Sequence, residues 1–194
     1  MTHMNYKRKI FTEKEIQAKD FENDIFEACK FVGIKFKFNN FKNCIFNTCD
    51  FSESYFDSVG FSQCKFPETK LSFIDFGNTS LFDCNFDKAI MENCIFQKLK
   101  VASKSDRKTF DLRNCNFNNA NLMGTIFIMC DLSGIKFNQS VLENVIFERC
   151  NLENVDFTES KIDGAGFTDC KIKGTFLDMN GFISFGNSKG FRLK

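Results

Sequence analysis

Large apolar residues recur at every fifth position along most of this chain, and this period constrains the fold more than any other feature. In the segment FKNCIFNTCDF, Phe41, Phe46 and Phe51 are five apart, with Cys44 and Cys49 between them. Five residues of an α-helix turn about 500°, so the phenylalanines would spiral around it. A straight strand alternates its side chains, so an odd spacing sends successive phenylalanines to opposite faces. The spacing therefore predicts short strands separated by one corner per five residues, with the phenylalanines pointing inward.

The period runs through two registers of apolar centres. The first reaches from Phe11 to Phe96 in 18 centres, and the second from Leu112 to Phe182 in 15. The residue two positions before a centre is usually small or β-branched, and the other three are mostly polar. Segment 97–109 interrupts the register and has a net charge of +4. It is expected to be a surface loop, either merely solvated or used for binding.

All ten cysteines occupy the same place in the repeat, two residues before a centre. They are Cys29, Cys44, Cys49, Cys64, Cys84, Cys94, Cys115, Cys130, Cys150 and Cys170. None has CxxC spacing, and the only histidine is His3. A small apolar residue buried beside a large one accounts for all ten, and metal or disulfide chemistry is the alternative. The pattern predicts free, buried thiols.

The units with the clearest pattern are CNFNN at 115–119, ANLMG at 120–124, CDLSG at 130–134 and VDFTE at 155–159. They resemble the pentapeptide repeat family, in which a small or β-branched residue is followed by Asp or Asn and then by Leu or Phe. The resemblance covers about residues 9–184 of the chain. It implies an all-β fold, a right-handed quadrilateral parallel β-helix with four units per coil and about eight coils.

This resemblance divides the chain into three parts. Residues 1–8 are expected to be an N-terminal tail or cap, and residues 9–184 the β-helix, interrupted by a loop near 97–109. Residues 185–194 are expected to be a C-terminal cap or tail.

With four units per coil, residues 20 apart should stack along the axis. The predicted core columns include Phe26, Phe46, Phe66 and Phe86, with Cys44, Cys64 and Cys84 beside them. Cys130, Cys150 and Cys170 should form a second thiol column. Such an interior is filled by side chains and leaves no room for a substrate.

The sequence contains no recognisable catalytic set, since it lacks a second histidine, a P-loop, a GxSxG motif and an HExxH motif. We therefore expect a non-enzymatic protein without cofactor or metal. No apolar stretch approaches the roughly 18 residues of a membrane span, and no secretory signal is evident, so a cytoplasmic protein is expected.

Function should then lie on the outer faces, the loop or the ends. Residues 141–170 have a net charge of −5, and residues 171–194 a net charge of +4. The pattern places Ile126, Ile128, Met129 and Ile146 outward, with Ile126 stacked on Ile146. An outward apolar patch of this kind often marks a contact surface.

The chain length and the interrupting loop resemble the bacterial quinolone-resistance subgroup of the family. Members of that subgroup imitate duplex DNA and bind DNA gyrase or topoisomerase IV. The resemblance implies a protein partner, with no direct contact to nucleic acid, and possible protection against fluoroquinolones. The candidate binding residues are Lys100, Lys104, Arg107 and Lys108 in the loop, and Glu143, Glu153, Asp156 and Asp163 in the acidic coils.

The C-terminal end raises a separate expectation. The subgroup tends to end in a helix that pairs two subunits, which implies a homodimer through this end. In this chain the segment ISFGNSKGFRLK contains Gly186 and Gly190, so helix propensity argues against a helix here.

An interaction scaffold for an unrelated protein partner is the alternative function. Surface charge discriminates between the two hypotheses. A DNA mimic should carry a continuous acidic stripe along one face, because phosphate charge dominates the recognition that it copies. Mixed faces favour a scaffold, and the formal net charge of the chain is only +1.

Overall fold

Short parallel strands stack into a four-sided solenoid in the computed structural model, which describes residues 3–98 and 109–194. Paired strands are joined in parallel, with residues 20 apart in register, as in Phe26 opposite Phe46 and Phe36 opposite Phe56. The prediction of an all-β quadrilateral β-helix of about eight coils is confirmed.

The described residues form fifteen strands and two short helices. In chain order the strands are β1 (Asn5–Lys7), β2 (Asp20–Glu22), β3 (Ile25–Glu27), β4 (Lys35–Lys37), β5 (Asn40–Lys42), β6 (Ile45–Asn47), β7 (Tyr55–Asp57), β8 (Val59–Ser62), β9 (Thr79–Phe82), β10 (Ile95–Phe96), β11 (Phe110–Asp111), β12 (Ile126–Ile128), β13 (Cys130–Asp131), β14 (Ile146–Glu148) and β15 (Gly166–Thr168). The helices are α1 (Glu13–Ile16) and α2 (Met179–Ser188). Neither helix is long and apolar enough to cross a membrane.

The strands form five sheets, ordered β1-β3-β6, β2-β5-β8-β9, β4-β7, β10-β12-β14-β15 and β11-β13. Isolated parallel bridges, such as Lys65 with Asn85, extend these ladders from coil to coil. The four faces are defined by their inward centres. The first face has Tyr6, Phe26, Phe46, Phe66, Phe86, Phe117, Phe137 and Phe157; the second has Phe11, Phe31, Phe51, Leu71, Met91, Leu122, Leu142 and Ile162; the third has Ile16, Phe36, Phe56, Phe76, Phe96, Phe127, Phe147 and Phe167; the fourth has Phe21, Phe41, Phe61, Leu81, Leu112, Leu132 and Leu152.

Most corners of the solenoid are made by one residue with a left-handed backbone, two positions after a centre. Asn is frequent there, as in Asn23 (φ 61°), Asn43 (φ 52°) and Asn144 (φ 58°), and it tolerates this conformation well. Two aromatic residues also adopt it, Phe38 (φ 55°) and Phe73 (φ 62°). Their amides are held by carbonyls of the next coil, since Phe38 donates to Asp57 at 3.1 Å and Phe73 to Glu92 at 2.9 Å. The predicted bend once per unit is thus a single αL residue.

Aromatic rings fill the axis. On the first face, Phe46 stacks on Phe26 at 4.7 Å and on Phe66 at 5.1 Å between ring centroids, and Phe86 follows at 5.0 Å. Neighbouring faces meet edge to face, as Phe61 does with Phe66 at 5.4 Å. Offset stacks and edge-to-face pairs are the favourable geometries for aromatic rings, and their burial is the main source of stability.

The cysteines line the interior as predicted. Cys44, Cys64 and Cys84 form one column, and each thiol donates to a carbonyl 23 residues earlier: Cys44 to Phe21 at 3.5 Å, Cys64 to Phe41 at 3.3 Å and Cys84 to Phe61 at 3.4 Å. Cys130, Cys150 and Cys170 form the second column, in which the Cys150 thiol donates to Phe127 and the Cys170 thiol to Phe147. All ten thiols are free.

Thiol reactivity should follow this burial. Burial raises the pKa of Cys49, Cys94 and Cys115 to about 12, so these groups are protonated thiols at neutral pH. Cys170, at the end of its column, is the one cysteine that is not fully buried. We expect native protein to react with a thiol reagent first at Cys170 and only slowly elsewhere, and denatured protein to titrate about ten thiols. Cys170→Ser should remove the first phase, and rapid labelling of several thiols in that variant would contradict the buried columns.

The interrupting loop is an insertion within one coil. Asn85 pairs with Asn116, 31 residues away, whereas Lys65 pairs with Asn85, 20 residues away, so 11 extra residues leave the coil. Residues 99–108 of this loop lie outside the described residues. The stacking resumes above it, since Phe96 packs on Phe127 at 4.8 Å between centroids.

The fourth face is interrupted beside this insertion, because β9 and β11 belong to separate sheets. Lys98 lies in the interruption. Its Nζ donates to the Thr79 carbonyl and lies 4.4 Å from the centroid of the buried Phe110 ring. Two coils earlier, the equivalent carbonyl of Asn39 accepts from the amide of Gly60. A lysine ammonium thus takes the place of a ladder amide.

The segment 1–8, predicted as a tail or cap, contributes to the first coil. It contains β1, which pairs with β3. Lys9 Nζ lies 4.6 Å from the centroid of Phe11 and 3.0 Å from Glu15 Oε1. The other oxygen of Glu15 accepts from the amide of Thr12 at 2.9 Å and from its hydroxyl at 2.8 Å. The hydrogen bonds with Lys9 and Thr12 lower the pKa of Glu15 to about 2.

This carboxylate predicts a pH effect on stability. A depressed folded-state pKa contributes stability above the unfolded-state value, and that stability is lost as the pH falls from about 4.5 to about 2. Glu15→Gln should therefore weaken the pH dependence of unfolding in this window, because the variant lacks at pH 7 the contribution that the native protein loses on acidification; the effect should be small because the group is exposed. Parallel acid titrations followed by circular dichroism would check this, and identical curves for the two proteins would contradict it.

The prediction against a C-terminal helix is wrong, because α2 forms at Met179–Ser188. Asp178 caps its first turn by accepting from the amide of Gly181 at 2.8 Å. Gly181 packs so closely that a Cβ there would lie 3.2 Å from Leu177 Cδ2, so glycine permits the contact. Phe185 packs edge to face on Phe167 at 5.5 Å. These tertiary contacts offset the glycine cost of about 1 kcal/mol per residue.

The helix also ends the repeat earlier than the period indicates. Phe182 was predicted as the last inward centre, but it lies in α2 with 65% of its surface exposed. Ile172, another predicted centre, is exposed as well. The last parallel bridge joins Asp156 to Phe176, which lies inside the range 9–184 predicted for the solenoid. The five-residue period alone does not show at which residue the solenoid ends.

Candidate interaction surfaces

The four predicted acidic residues lie on three different faces. Glu143 and Asp163 stack on the second face, where the amide of Asn144 donates to the carbonyl of Asp163. Glu153 lies on the fourth face, and Asp156 on the first, in register with Lys136. The solenoid therefore brings only two of the four predicted residues together.

Charges of opposite sign accompany these carboxylates. Lys136 precedes Asp156 in the ladder of the first face. Lys173 follows Glu153 one coil later, and Lys161 lies two residues from Asp163. Within residues 3–98 and 109–194 we find no continuous acidic stripe, so this surface has the mixed character expected of a scaffold.

Asp156 is held in place by its own turn. It accepts from the amide of Thr158 at 2.9 Å and from the Thr158 hydroxyl at 2.7 Å. Partial burial opposes ionisation, but these hydrogen bonds outweigh it and lower the pKa of Asp156. The carboxylate is a turn-stabilising group as well as a surface charge.

The predicted basic residues of the loop, Lys100, Lys104, Arg107 and Lys108, lie outside the described residues. The lysine at the base of the loop, Lys98, is engaged with Thr79 and Phe110.

An acidic cleft of about 630 Å³ lies where α2 meets the second face. Its carboxylates are Glu143, Glu159, Asp163 and Asp178, and Lys161 also lines it. Ser184 of α2 donates to Asp163 Oδ1 at 2.6 Å. Asp178 accepts from the amides of Gly181 and Glu159, and these bonds lower its pKa. The cleft therefore carries a net negative charge.

Sequence reasoning missed Glu159 and Asp178 as parts of this cleft. They join Glu143 and Asp163 only because α2 folds back over the last coils. The available signal was Asp178 itself, since an Asp before a polar first turn is a typical helix N-cap.

The C-terminal end is apolar and uncovered. Six side chains there are about half to four-fifths exposed: Ile172, Phe176, Met179, Phe182, Phe191 and Leu193. A groove of about 310 Å³ runs between α2 and the last residues, lined by Phe182, Phe185, Gly186, Phe191 and Leu193 among others. We call this surface the C-terminal apolar face. Clusters of exposed apolar residues often mark association surfaces in proteins.

A second apolar patch lies on the third face. Ile95, Ile126 and Ile146 point outward in one register along β10, β12 and β14, which confirms the predicted stacking of Ile126 on Ile146. Ile146 is 43% exposed, and Ile128 and Met129 flank the row.

The architecture defines a class of protein: a four-sided β-solenoid whose interior is filled by side chains. Family models for pentapeptide repeats match residues 35–72, 61–97 and 104–177. The chain belongs to the pentapeptide repeat family.

Solved structures with this fold include full-length QnrB1, described as a plasmid-mediated fluoroquinolone resistance protein. It is 17% identical, with a TM-score of 0.50, over 97% of this chain and 98% of QnrB1. HetL, a pentapeptide repeat protein involved in heterocyst differentiation regulation from the cyanobacterium Nostoc sp. strain PCC 7120, is 14% identical with a TM-score of 0.47. That match covers 90% of this chain and 92% of HetL. No curated protein sequence matches the chain.

Proposed function

We propose that the chain is a non-enzymatic protein-binding scaffold that forms a homodimer through the C-terminal apolar face and presents its outer faces to a protein partner. The observation that carries the proposal is this face itself. Phe182, Phe191 and Leu193 are 65%, 74% and 82% exposed on a chain whose core is otherwise closely packed. Burying them against a second copy would stabilise the pair by about 25 cal/mol per Å² of apolar surface.

A two-fold pairing fits the shape of this end. The groove between α2 and residues 191–193 can accept an aromatic side chain of a partner, and the aromatic residues beside it can fill the partner's groove. Such an exchange is the self-complementary contact that an isologous interface requires. Light scattering of the purified protein over a range of concentrations tests this association.

The second candidate function is binding to DNA gyrase or topoisomerase IV with protection against fluoroquinolones. Two observations favour it: the match to QnrB1 along nearly the whole chain, and the acidic cleft beside α2. In this hypothesis Glu143, Glu159, Asp163 and Asp178 occupy a cationic path of the enzyme that otherwise holds DNA phosphates. The mixed charge of the other faces favours the scaffold.

Charge reversal separates the two functions. We expect Glu143→Lys with Asp163→Lys to abolish binding to a type II topoisomerase, and raised salt to weaken it steeply, if the cleft imitates phosphates. Glu53→Lys with Glu68→Lys makes the same charge change at exposed corners away from the cleft and should leave binding intact. Pull-down and supercoiling assays with both enzymes, with and without a fluoroquinolone, are the measurements. Absence of binding at micromolar concentration would leave the scaffold function alone.

The compartment is part of the proposal. Ten free thiols, nine of them fully buried, suit a reducing environment such as the cytoplasm. Fractionation of cells expressing the protein would test this assignment.

A further inference from the structure

The first coil breaks the rule that governs the interior of the solenoid. Two residues before each centre, the later coils place mostly small side chains, whereas the first coil places long ones, three of them charged. They are Met4, Lys9, Lys14 and Lys19. One coil later the same columns hold Asp24, Cys29, Ile34 and Asn39, all buried. Among the described units, lysine occupies these positions only in the first coil.

Lys9 covers the last layer of rings. Its ammonium group lies 4.6 Å from the centroid of Phe11 and 5.7 Å from that of Tyr6, within range of a cation–π interaction. Glu15 holds it there at 3.0 Å and is itself fixed by two hydrogen bonds from Thr12. The stack of aromatic rings therefore ends at the Lys9 ammonium group, which Glu15 and Thr12 hold in place.

Polar side chains of the second coil also satisfy the backbone of this edge. Asp24 Oδ1 accepts from the amide of Met4 at 2.7 Å. Asn39 Nδ2 donates to the carbonyls of Ile16 at 2.7 Å and Lys19 at 3.0 Å. These hydrogen bonds anchor the first coil to the second coil.

The two ends of the solenoid therefore differ in kind. The N-terminal end carries Lys9, Lys14 and Lys19 at the positions two before a centre, with Lys14 and Lys19 exposed, and the C-terminal end exposes Phe176, Phe182 and other apolar residues. A second copy stacked on the N-terminal end would bury the ammonium groups of Lys14 and Lys19 together with the Lys9–Glu15 ion pair, which is strongly unfavourable. A second copy at the C-terminal end buries apolar surface instead.

We propose that the first coil is a charged cap that prevents stacking of another copy on the N-terminal end, so that assembly stops at two copies joined at the C-terminal end. The limit of two copies per assembly rests on the C-terminal pairing proposed above. The role of the cap in blocking the N-terminal end does not depend on that pairing. If both ends were competent to associate, the solenoids would join into open chains, since two different contacts on one copy do not close.

The test removes the cap lysines and measures size. In K9A/K14A/K19A the first coil acquires the small inward residues of the later coils. The matched control, K7A/K35A/K37A, removes three outward lysines from β1 and β4 and thus makes the same change in net charge. Both are compared with the native chain by sedimentation velocity and light scattering over a hundredfold range of concentration, with circular dichroism to verify folding.

We expect the cap variant to form species larger than the native protein, growing with concentration, while the control keeps the native size. In a Phe182→Asp background, which removes C-terminal pairing, the cap variant should stop at a dimer.

A monomeric native protein would overturn the C-terminal pairing but not the cap. In that case, formation of dimers by the cap variant would still support the cap. Unchanged size of the folded cap variant in both backgrounds would overturn the cap. If the triple variant fails to fold, Lys9→Ala and Lys9→Arg take its place. We expect self-association to increase in Lys9→Ala and to stay at the native level in Lys9→Arg. Equal sizes of these two variants would overturn the proposal.

Discussion

Phe66→Ala should destabilise the protein by about 3–5 kcal/mol, the range for truncating a large buried side chain. Phe66 is 1% exposed and stacks between Phe46 and Phe86 at 5.1 and 5.0 Å. It also meets Phe61 edge to face at 5.4 Å. The coils above and below are held apart by their own ladders, so the space left by the ring cannot collapse fully. Urea unfolding followed by circular dichroism measures the change.

The matched control is Phe73→Ala, which removes the same side chain from an exposed corner. Phe73 is 59% exposed, so its loss should change the free energy of unfolding by no more than about 0.5 kcal/mol. A change below about 1 kcal/mol in Phe66→Ala would mean that the ring is not part of a packed stack. Similar losses in both variants would mean that the corner phenylalanine contributes to packing.

Phe182→Asp should weaken self-association at the C-terminal apolar face by at least about 30-fold in dissociation constant, as expected for a hot-spot residue worth about 2 kcal/mol or more. Phe182 is 65% exposed and lines the groove beside α2. A carboxylate placed there would be buried without a partner in the paired state. Concentration-dependent light scattering gives the dissociation constant.

Phe38→Asp is the control for this second experiment. Phe38 is 66% exposed, but it lies at a corner of the second coil, remote from α2 along the chain. It should therefore leave self-association unchanged. Equal loss of association in the two variants would place the interface elsewhere, and unchanged association in Phe182→Asp would remove the C-terminal apolar face from the dimer.

The interior of this protein could be predicted from the sequence because its period has one structural solution. A centre such as Phe46 recurs every five residues, and only a chain that bends once per unit keeps it inward. The cysteine columns follow from the same register. Each such residue is determined by its own unit and by the units 20 residues away, so local pattern and tertiary contact agree.

The ends could not be predicted in this way, because a period carries no information on where stacking stops. Phe182 has the spacing of a centre, yet it lies on a helix held by Asp178 and by the packing of Phe185 on Phe167. Glycines in the segment argued against that helix, and tertiary packing overrode their propensity. At the N-terminal end the signal was present in Lys9, Lys14 and Lys19, three lysines in columns that elsewhere hold mostly small residues.

The acidic sites were predicted by type but not by arrangement. Counting charge over residues 141–170 gives a net of −5, but the count ignores that successive units face different directions. Glu153 and Asp156 are three residues apart and lie on different faces, whereas Glu143 and Asp163 are 20 apart and adjacent. In a solenoid of this kind, surface charge has to be summed by column rather than along the chain.

The 20-residue spacing between stacked residues has a consequence for how the chain reaches this structure. Most sheets with parallel strands require contacts between distant parts of the chain, which makes their formation slow. Here a ladder partner is one coil away, about 0.10 of the 194-residue length, a separation in the range of helical bundles. Closing one such loop costs little chain entropy, and each completed coil offers a template for the next. A nascent chain could therefore wind up coil by coil during synthesis, before its C-terminal end exists.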